Sequence, residues 1–197
     1  MLRVGAITLR AFSAGDLEAL ALMRQILSVE LAAQSTLPYP TPLETFRRRL
    51  EEGSTAVSSG RGGDLEFAIA LSNDPLQPAI GVAGLYAFDG FNSIAEVGIM
   101  IGNRRHWGRG LGFHALVALY EFAFRHANLN RVYTHIKADN RGVIRLARRL
   151  GMSEEGLLRE HRWKSGKYID VVAFGLLRRD WDFGALEKKY NLMAQND

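Results

Sequence analysis

Three glycines alternate through Trp107-Gly108-Arg109-Gly110-Leu111-Gly112-Phe113, between a strand-like run and an apolar helical stretch. Lacking Cβ atoms, such a loop can turn its N–H groups toward a ligand. The helix behind it adds unpaired donors and the positive end of its dipole. The chemistry on offer is the cradling of a diphosphate without a metal. The spacing is neither the Rossmann G-x-G-x-x-G nor the P-loop G-x-x-x-x-G-K-[ST]. The preceding run, Glu96-Val97-Gly98-Ile99-Met100-Ile101, reads as a buried strand with an internal glycine, which predicts a bulge or a close backbone approach.

Arginines gather around the same features: Arg104, Arg105 and Arg109 at the loop, then Arg141, Arg145, Arg148 and Arg149 on one helix. Phosphates are their natural partners, with a solvated basic face as the alternative. Arg141, Arg145 and Arg148 form a stripe at helical spacing, from which Arg149 points away. The formal charge of +4 is mild. The basic runs with interleaved aromatics of a nucleic-acid surface are missing, so no nucleic-acid partner is expected. With no cysteine, disulfides, cysteine-ligated zinc and a cysteine acyl-enzyme are excluded.

The elements that must hold these residues follow from periodicity. A first strand spans Ile7 to Phe12. Ser13 to Asp16 supply a turn and cap for an apolar-periodic helix over Leu17 to Leu31, which Pro38, Pro40 and Pro42 end. A second helix runs from Leu43 to Glu52, and Ser58 to Gly63 reads as a loop. Strands at Leu65–Ser72, Ile80–Phe88 and Ile94–Ile101 form an antiparallel meander. A mostly buried helix covers Leu111 to Ala127, and the alternating strand Arg131–Ala138 lies parallel to the strand before it. Strands at Leu157–Lys164 and Tyr168–Leu177 close as a hairpin at Ser165-Gly166.

In order along the chain, these residues resemble the GNAT superfamily of acyl-CoA-dependent N-acyltransferases, whose signature loop [QR]-x-x-G-x-[GA] opens a helix. His106-Trp107-Gly108-Arg109-Gly110 is similar to the aromatic-Trp-Gly-Lys-Gly run of the branch acting on ribosomal-protein N-termini and spermidine. The resemblance extends to Leu9-Arg10 with Asp16, Asn140 and Leu150-Gly151-Met152, Glu155 to Arg159, Gly166 to Asp170, and Asp180-Trp181. It implies an α/β fold: a mixed, splayed, strongly twisted sheet flanked by helices. Acetyl-CoA would enter the splay as cosubstrate, and no metal is implied.

Site residues follow from the same resemblance. The backbones of Ile99, Met100 and Ile101 and the loop from Trp107 through Gly108, Arg109, Gly110, Leu111 and Gly112 to Phe113 would bind CoA. Asn140 would hold the pantetheine while capping its helix. Arg145 and Arg149 would reach phosphates. An amine acceptor arrives as an ammonium of pKa ~10 and must lose a proton before it attacks, so a base is required. Glu96 is the first candidate, against the alternative of a strand-surface ion pair. His135 is the second, though packing or solvation suits it better. An oxyanion donor is expected from an amide freed by a bulge near Ile99 or Met100. The general acid is where the family pattern fails: Val143 and Ala147 replace its serine and tyrosine, leaving Tyr133, Tyr168, water or none. Trp163 and Trp181 are expected to pack, and Tyr39 to read the substrate.

One domain over 1–197 is expected, with residues 183–197 free to form a tail. Without an apolar run of about 20 residues or a signal-peptide core, a soluble cytoplasmic protein with no membrane partner is expected. A homodimer is compatible with the resemblance. The reaction implied is direct acetyl transfer to a primary amine, of a protein N-terminus or a small molecule. The rival is a catalytically silent CoA-binding sensor, or interaction module, favoured by the missing serine and tyrosine. A basic nucleic-acid-binding domain is a more distant third.

Overall fold

The computed structural model describes residues 1–24, 42, 44–45, 47–48, 63–192 and 194–196. Tyr39, most of the expected second helix and the Ser58 to Gly62 loop lie outside the described residues. Glu44, Thr45, Arg47 and Arg48 are helical, as the periodicity there predicts.

Nine strands are described: β1 (Leu2–Val4), β2 (Ile7–Arg10), β3 (Gly63–Leu71), β4 (Gly81–Asp89), β5 (Ile94–Ile101), β6 (Arg131–Lys137), β7 (Ser153–Lys164), β8 (Lys167–Leu177) and β9 (Ala194–Asn196). They form one mixed sheet in the order β7-β8-β6-β5-β4-β3-β2-β1-β9. The helices are α1 (Ala14–Arg24), α2 (Leu111–Glu121), α3 (Arg141–Arg149) and α4 (Phe183–Tyr190). β5 and β6 are the parallel pair, and the α2 crossover supplies the length such a connection needs. Elsewhere the described pairs are antiparallel.

Most of the core lies between the sheet and α2, whose Ala115 to Tyr120 are almost wholly buried among Ile7, Leu85, Val97, Val132 and Phe174. The expected helix end is modified: after Glu121 the chain widens into a π turn over Phe122–His126, where the Ala127 amide donates to the Phe122 carbonyl. The turn seats Phe122 edge-on to Phe67 at 5.0 Å and Phe124 beside Trp181 at 6.0 Å. Ser165 and Gly166 both have positive φ, 48° and 87°, as a two-residue type I′ hairpin demands.

Asp16 does more than cap. Fully buried, it takes both terminal nitrogens of Arg10, at 2.6 and 2.9 Å, and the amides of Ser13 and Ala79. Burial alone would push this carboxyl up. The hydrogen bonds from Arg10, Ser13 and Ala79 outweigh it and hold the group well below the usual carboxylate range.

Residues 183–192 and 194–196, left by the sequence as a possible tail, are structured: α4 packs back, Leu192 is buried, and β9 pairs with β1 through Leu2 opposite Asn196. Three- and four-residue strands such as β1 and β9 are too short to show a period, which is why the pattern missed them.

Candidate active site

The site begins where the sheet comes apart. β5 and β6 pair only at Ile94–Arg131, Ala95–Val132 and Glu96–Tyr133. β5 continues to Ile101 and β6 to Lys137 without further pairing, so one backbone edge of each faces a gap. The Gly102 amide donates to the Ile80 carbonyl just before β4, at 3.0 Å, so the hydrogen-bonded pairs along β5 fall in step with Gly102. In an antiparallel ladder such pairs alternate, so Met100, Gly98 and Glu96 turn their amides to β4. Ile101, Ile99 and Val97 turn theirs to the gap. All three residues expected to meet CoA line the opening, but only Ile99 and Ile101 turn their amides to it, while Met100 turns its amide to β4 and buries its side chain beside Leu20 and Val82.

No bulge occurs at Gly98. The β4–β5 register is unbroken from Gly81–Ile101 to Tyr86–Glu96, and the irregularity falls at Ala87, with φ 47°. Gly98 instead lies under an aromatic ring: a Cβ there would stand 2.7 Å from Tyr86 Cε2. The group that approaches this glycine is neither a backbone nor a ligand but the side chain of the chain's own tyrosine, whose hydroxyl donates to Glu66 at 2.7 Å. The amides near Ile99 are freed by the split of the sheet rather than by a bulge.

Beyond β5, a turn at Arg104–His106 leads into the glycine loop. Gly108 and Gly110 have φ of 72° and 79°, the left-handed conformation that glycine adopts without a Cβ penalty. Gly110 serves as N-cap of α2 with no side-chain hydrogen bond. Among the described residues, the amides of Leu111 and Gly112 have no backbone acceptor, as expected at a helix start. Trp107 is fixed across the end of β5, its indole N–H donating to the Ile101 carbonyl at 2.7 Å and its ring carrying Arg104.

These pieces wall a cleft of about 640 Å³. Ile99, Met100, Ile101, Trp107, Gly108, Gly110 and Leu111 to Phe113 line it, together with Asn140 at the cap of α3 and Arg145 and Arg149 on that helix. Arg109 sits exposed on the rim and does not line it. The expected arginine stripe is re-sorted: Arg148 turns away to pair with Glu154 at 2.8 Å, and Arg149 joins Arg145 at the cleft. Arg149 is also clamped, with its guanidinium carbon 4.0 Å from the Phe113 ring centre and 4.2 Å from that of Tyr190 on α4. Asn140 caps α3 by accepting from the Val143 amide at 3.3 Å.

A smaller cavity of about 120 Å³ continues the cleft into the split and shares Ile99, Asn140 and Val143 with it. His135 lines this cavity. Its Nδ1 lies 2.9 Å from Glu96 Oε1, with both side chains about one-third exposed, at 32% and 34%. A carboxylate only accepts, so Nδ1–H donates to it, and the neutral ring is left with an acceptor lone pair on Nε2. The structure thus joins the two base candidates, with His135 nearer the cavity and Glu96 behind it. Burial and the Glu96 charge raise the neighbouring Tyr133 phenol.

Val143 and Ala147 line the cavity and, as expected, can donate nothing. Tyr168 is no alternative, being 63% exposed at the hairpin tip against Trp163. Trp163 is exposed as well, contrary to its expected packing role, whereas Trp181 packs on Tyr120 and donates to Glu121. The phenol that does line the cavity is Tyr120 of α2. Its hydroxyl rests on Met152 Sδ at 3.1 Å, and burial raises its pKa. Tyr120 falls within the buried run of α2, so no sequence signal separates it from core. Among the described residues, no three His, Asp or Glu side chains converge as a metal site. No described helix is long and apolar enough to cross a membrane.

A split parallel pair, a glycine-cradled helix start and a cleft between them agree with comparison to known proteins: residues 6–153 match the family described as "Acetyltransferase (GNAT) domain". The chain belongs to this family. It is 37% identical over 102 residues to the uncharacterized N-acetyltransferase p20 of Bacillus licheniformis, covering 52% of this chain and 57% of that protein. To the putative ribosomal N-acetyltransferase YdaF of Bacillus subtilis it is 31% identical over 102 residues, covering 52% and 55%. The matched stretch thus spans little more than half the length of these curated relatives. The GNAT fold is also that of the Vibrio cholerae spermidine N-acetyltransferase, solved with CoA and spermine, at TM-score 0.76 and 22% identity over 89% of this chain and 97% of that one.

Proposed function

We propose that this GNAT protein transfers the acetyl group of acetyl-CoA directly to a primary amine, on a small molecule or a peptide N-terminus. One observation carries the reading: a cleft walled by a helix start and two arginines adjoins, across Ile99, Asn140 and Val143, a cavity bearing a carboxylate-held imidazole. The diphosphate would lie on the amides of Gly108 to Gly112, with Arg145 and Arg149 at the phosphates. The pantetheine arm would extend along the open edge of β5, on Ile99, Ile101 and Asn140, and bring the thioester into the split.

The amine nitrogen attacks the thioester carbonyl carbon, forming the N–C bond. Its proton passes to His135 Nε2, and Glu96 steadies the resulting imidazolium. The oxyanion is met by the Ile99 amide, already turned to the gap. The C–S bond then breaks, and CoA leaves as a thiolate whose conjugate thiol has a pKa of about 8.5. Tyr120 can steady that sulfur by a hydrogen bond, but full transfer from its raised phenol is uphill, so solvent returns the proton. A weakly basic leaving group makes a dedicated side-chain acid dispensable.

The test is to incubate the protein and acetyl-CoA with a broad panel of primary amines, following thiol release and the mass of the acceptor. Thiol release matched by acceptor acetylation is expected. CoA binding with no acetylation of any amine would instead favour the silent CoA-binding module, the reading to which the residues at 143 and 147 lend support.

A further inference from the structure

The small cavity has a cationic side that the transfer chemistry leaves unused. Arg162 of β7 lines it, together with Lys137 of β6. A slip in the sheet brings it there. Leu158 pairs with Val171 and Arg162 with Ile169, so three residues of β7 stand opposite one of β8. Glu160 at the centre takes φ 49° and donates its amide to Asp170 Oδ1 at 2.8 Å. Such bulges re-aim side chains and are found beside active sites.

Arg162 also differs from other cations of the sheet and of α3. Lys164 holds Asp139 at 2.6 Å, Arg148 holds Glu154, and Arg131 holds Glu155. Arg162 is half-buried, yet among the described residues no carboxylate or carbonyl pairs with it. Withdrawing a guanidinium from water beside a lysine is unfavourable without a counter-charge. An anion bound in the cavity would supply that counter-charge. His135, held by the Glu96 carboxylate, lines the same cavity and gives an ammonium a place beside a negative charge. The two poles define a dipolar acceptor.

We propose that the acceptor is a primary amine that also bears a carboxylate, in the manner of an amino acid or short peptide, and that Arg162 binds this carboxylate by charge-assisted hydrogen bonds. The proposal rests on the acetyl-transfer reading above and deepens it by naming the substrate class. It disfavours acceptors that are cationic throughout, which would place a second positive charge against Arg162.

Matched acceptors test it: free amino acids and dipeptides, the same compounds with the terminal carboxylate converted to an amide, and aliphatic diamines, each with acetyl-CoA and the full chain. The acids should exceed their amides in kcat/KM by about tenfold or more, as a charge-assisted bond allows. Arg162→Gln should bring each acid down to the level of its amide, and Arg162→Lys should retain part of the preference. CoA affinity, measured by calorimetry, should not change in either variant. Amides or diamines acetylated as well as the acids would overturn the proposal while leaving acetyl transfer standing. So would a preference that survives Arg162→Gln, or a loss of CoA affinity in that variant, which would assign the arginine to the cofactor. Acetylation of no amine at all would overturn the transfer reading, and this proposal with it.

Discussion

Glu96 and His135 lie on adjacent parallel strands, one on each side of the split, and meet at 2.9 Å through Oε1 and Nδ1. The last paired residues of β5 and β6, Glu96 and Tyr133, mark the place where the sheet opens, so the dyad stands at the apex of the gap. A carboxylate that fixes the tautomer of a neutral imidazole leaves Nε2 free to accept a proton, the role proposed above for His135.

Loss of either member should therefore slow chemistry more than binding. Glu96→Gln and His135→Ala are each expected to lower kcat by about 10²–10⁴-fold at neutral pH, the usual worth of general-base assistance. Raising the pH should restore part of the rate, since more acceptor is then already neutral. Steady-state kinetics of the two single variants and the double variant check this. The double variant should fall well short of the product of the single effects, because the residues act as a unit.

The glycine loop should be intolerant of side chains for a conformational reason. A Cβ at Gly110 would meet no atom within 4 Å, but φ of 79° is one that L-residues adopt at a cost of about 1–2 kcal/mol. Gly110→Val should fold, as circular dichroism would show, and lose CoA binding in calorimetry. Undiminished affinity in the folded variant would remove the loop from the cofactor site.

Arg149 is held between the Phe113 and Tyr190 rings at 4.0 and 4.2 Å, so α4 takes part in presenting a cleft arginine. Tyr190→Ala should weaken CoA binding by loosening that clamp, and Tyr190→Phe should restore most of it, since stacking needs no hydroxyl. Arg145→Ala and Arg149→Ala should each weaken binding and flatten its salt dependence. Comparison of CoA with dephospho-CoA shows which of them meets the 3′-phosphate.

Asp16 gives a pH-dependent stability of defined sign. Its folded pKa is depressed, so its contribution is fully present above the unfolded value near ~3.9 and is lost as pH falls from there toward the folded pKa. Asp16→Ala leaves Arg10 buried without its partner and should cost about 3–5 kcal/mol. Denaturant melts of both proteins at neutral and acid pH check this: the gap between them should narrow in acid.

The sequence alone determined what repeats or carries its own local chemistry. The period of two marked β3, β4, β5, β6 and the β7–β8 hairpin to within a few residues, and the apolar run marked α2. Alternating glycines marked the loop at 108–112, two of which, Gly108 and Gly110, take positive φ, and Asn140 marked a cap. The tertiary structure decided whatever depends on which edge or neighbour a residue meets. Alternation assigns Ile99, Met100 and Ile101 to the same strand, but only the pairing with β4 shows that Met100 turns its amide away from the gap. Helical spacing groups Arg141, Arg145 and Arg148, yet the position of Glu154 and of the aromatic rings puts Arg145 with Arg149 at the cleft. Glu96 and His135 are 39 positions apart and became one dyad only because the parallel pairing ends beside them. Arg162 reached the cavity through a slip in register that no periodicity encodes. Local propensity is written residue by residue, whereas the partner across a gap is fixed by strand order and register, which are properties of the whole sheet.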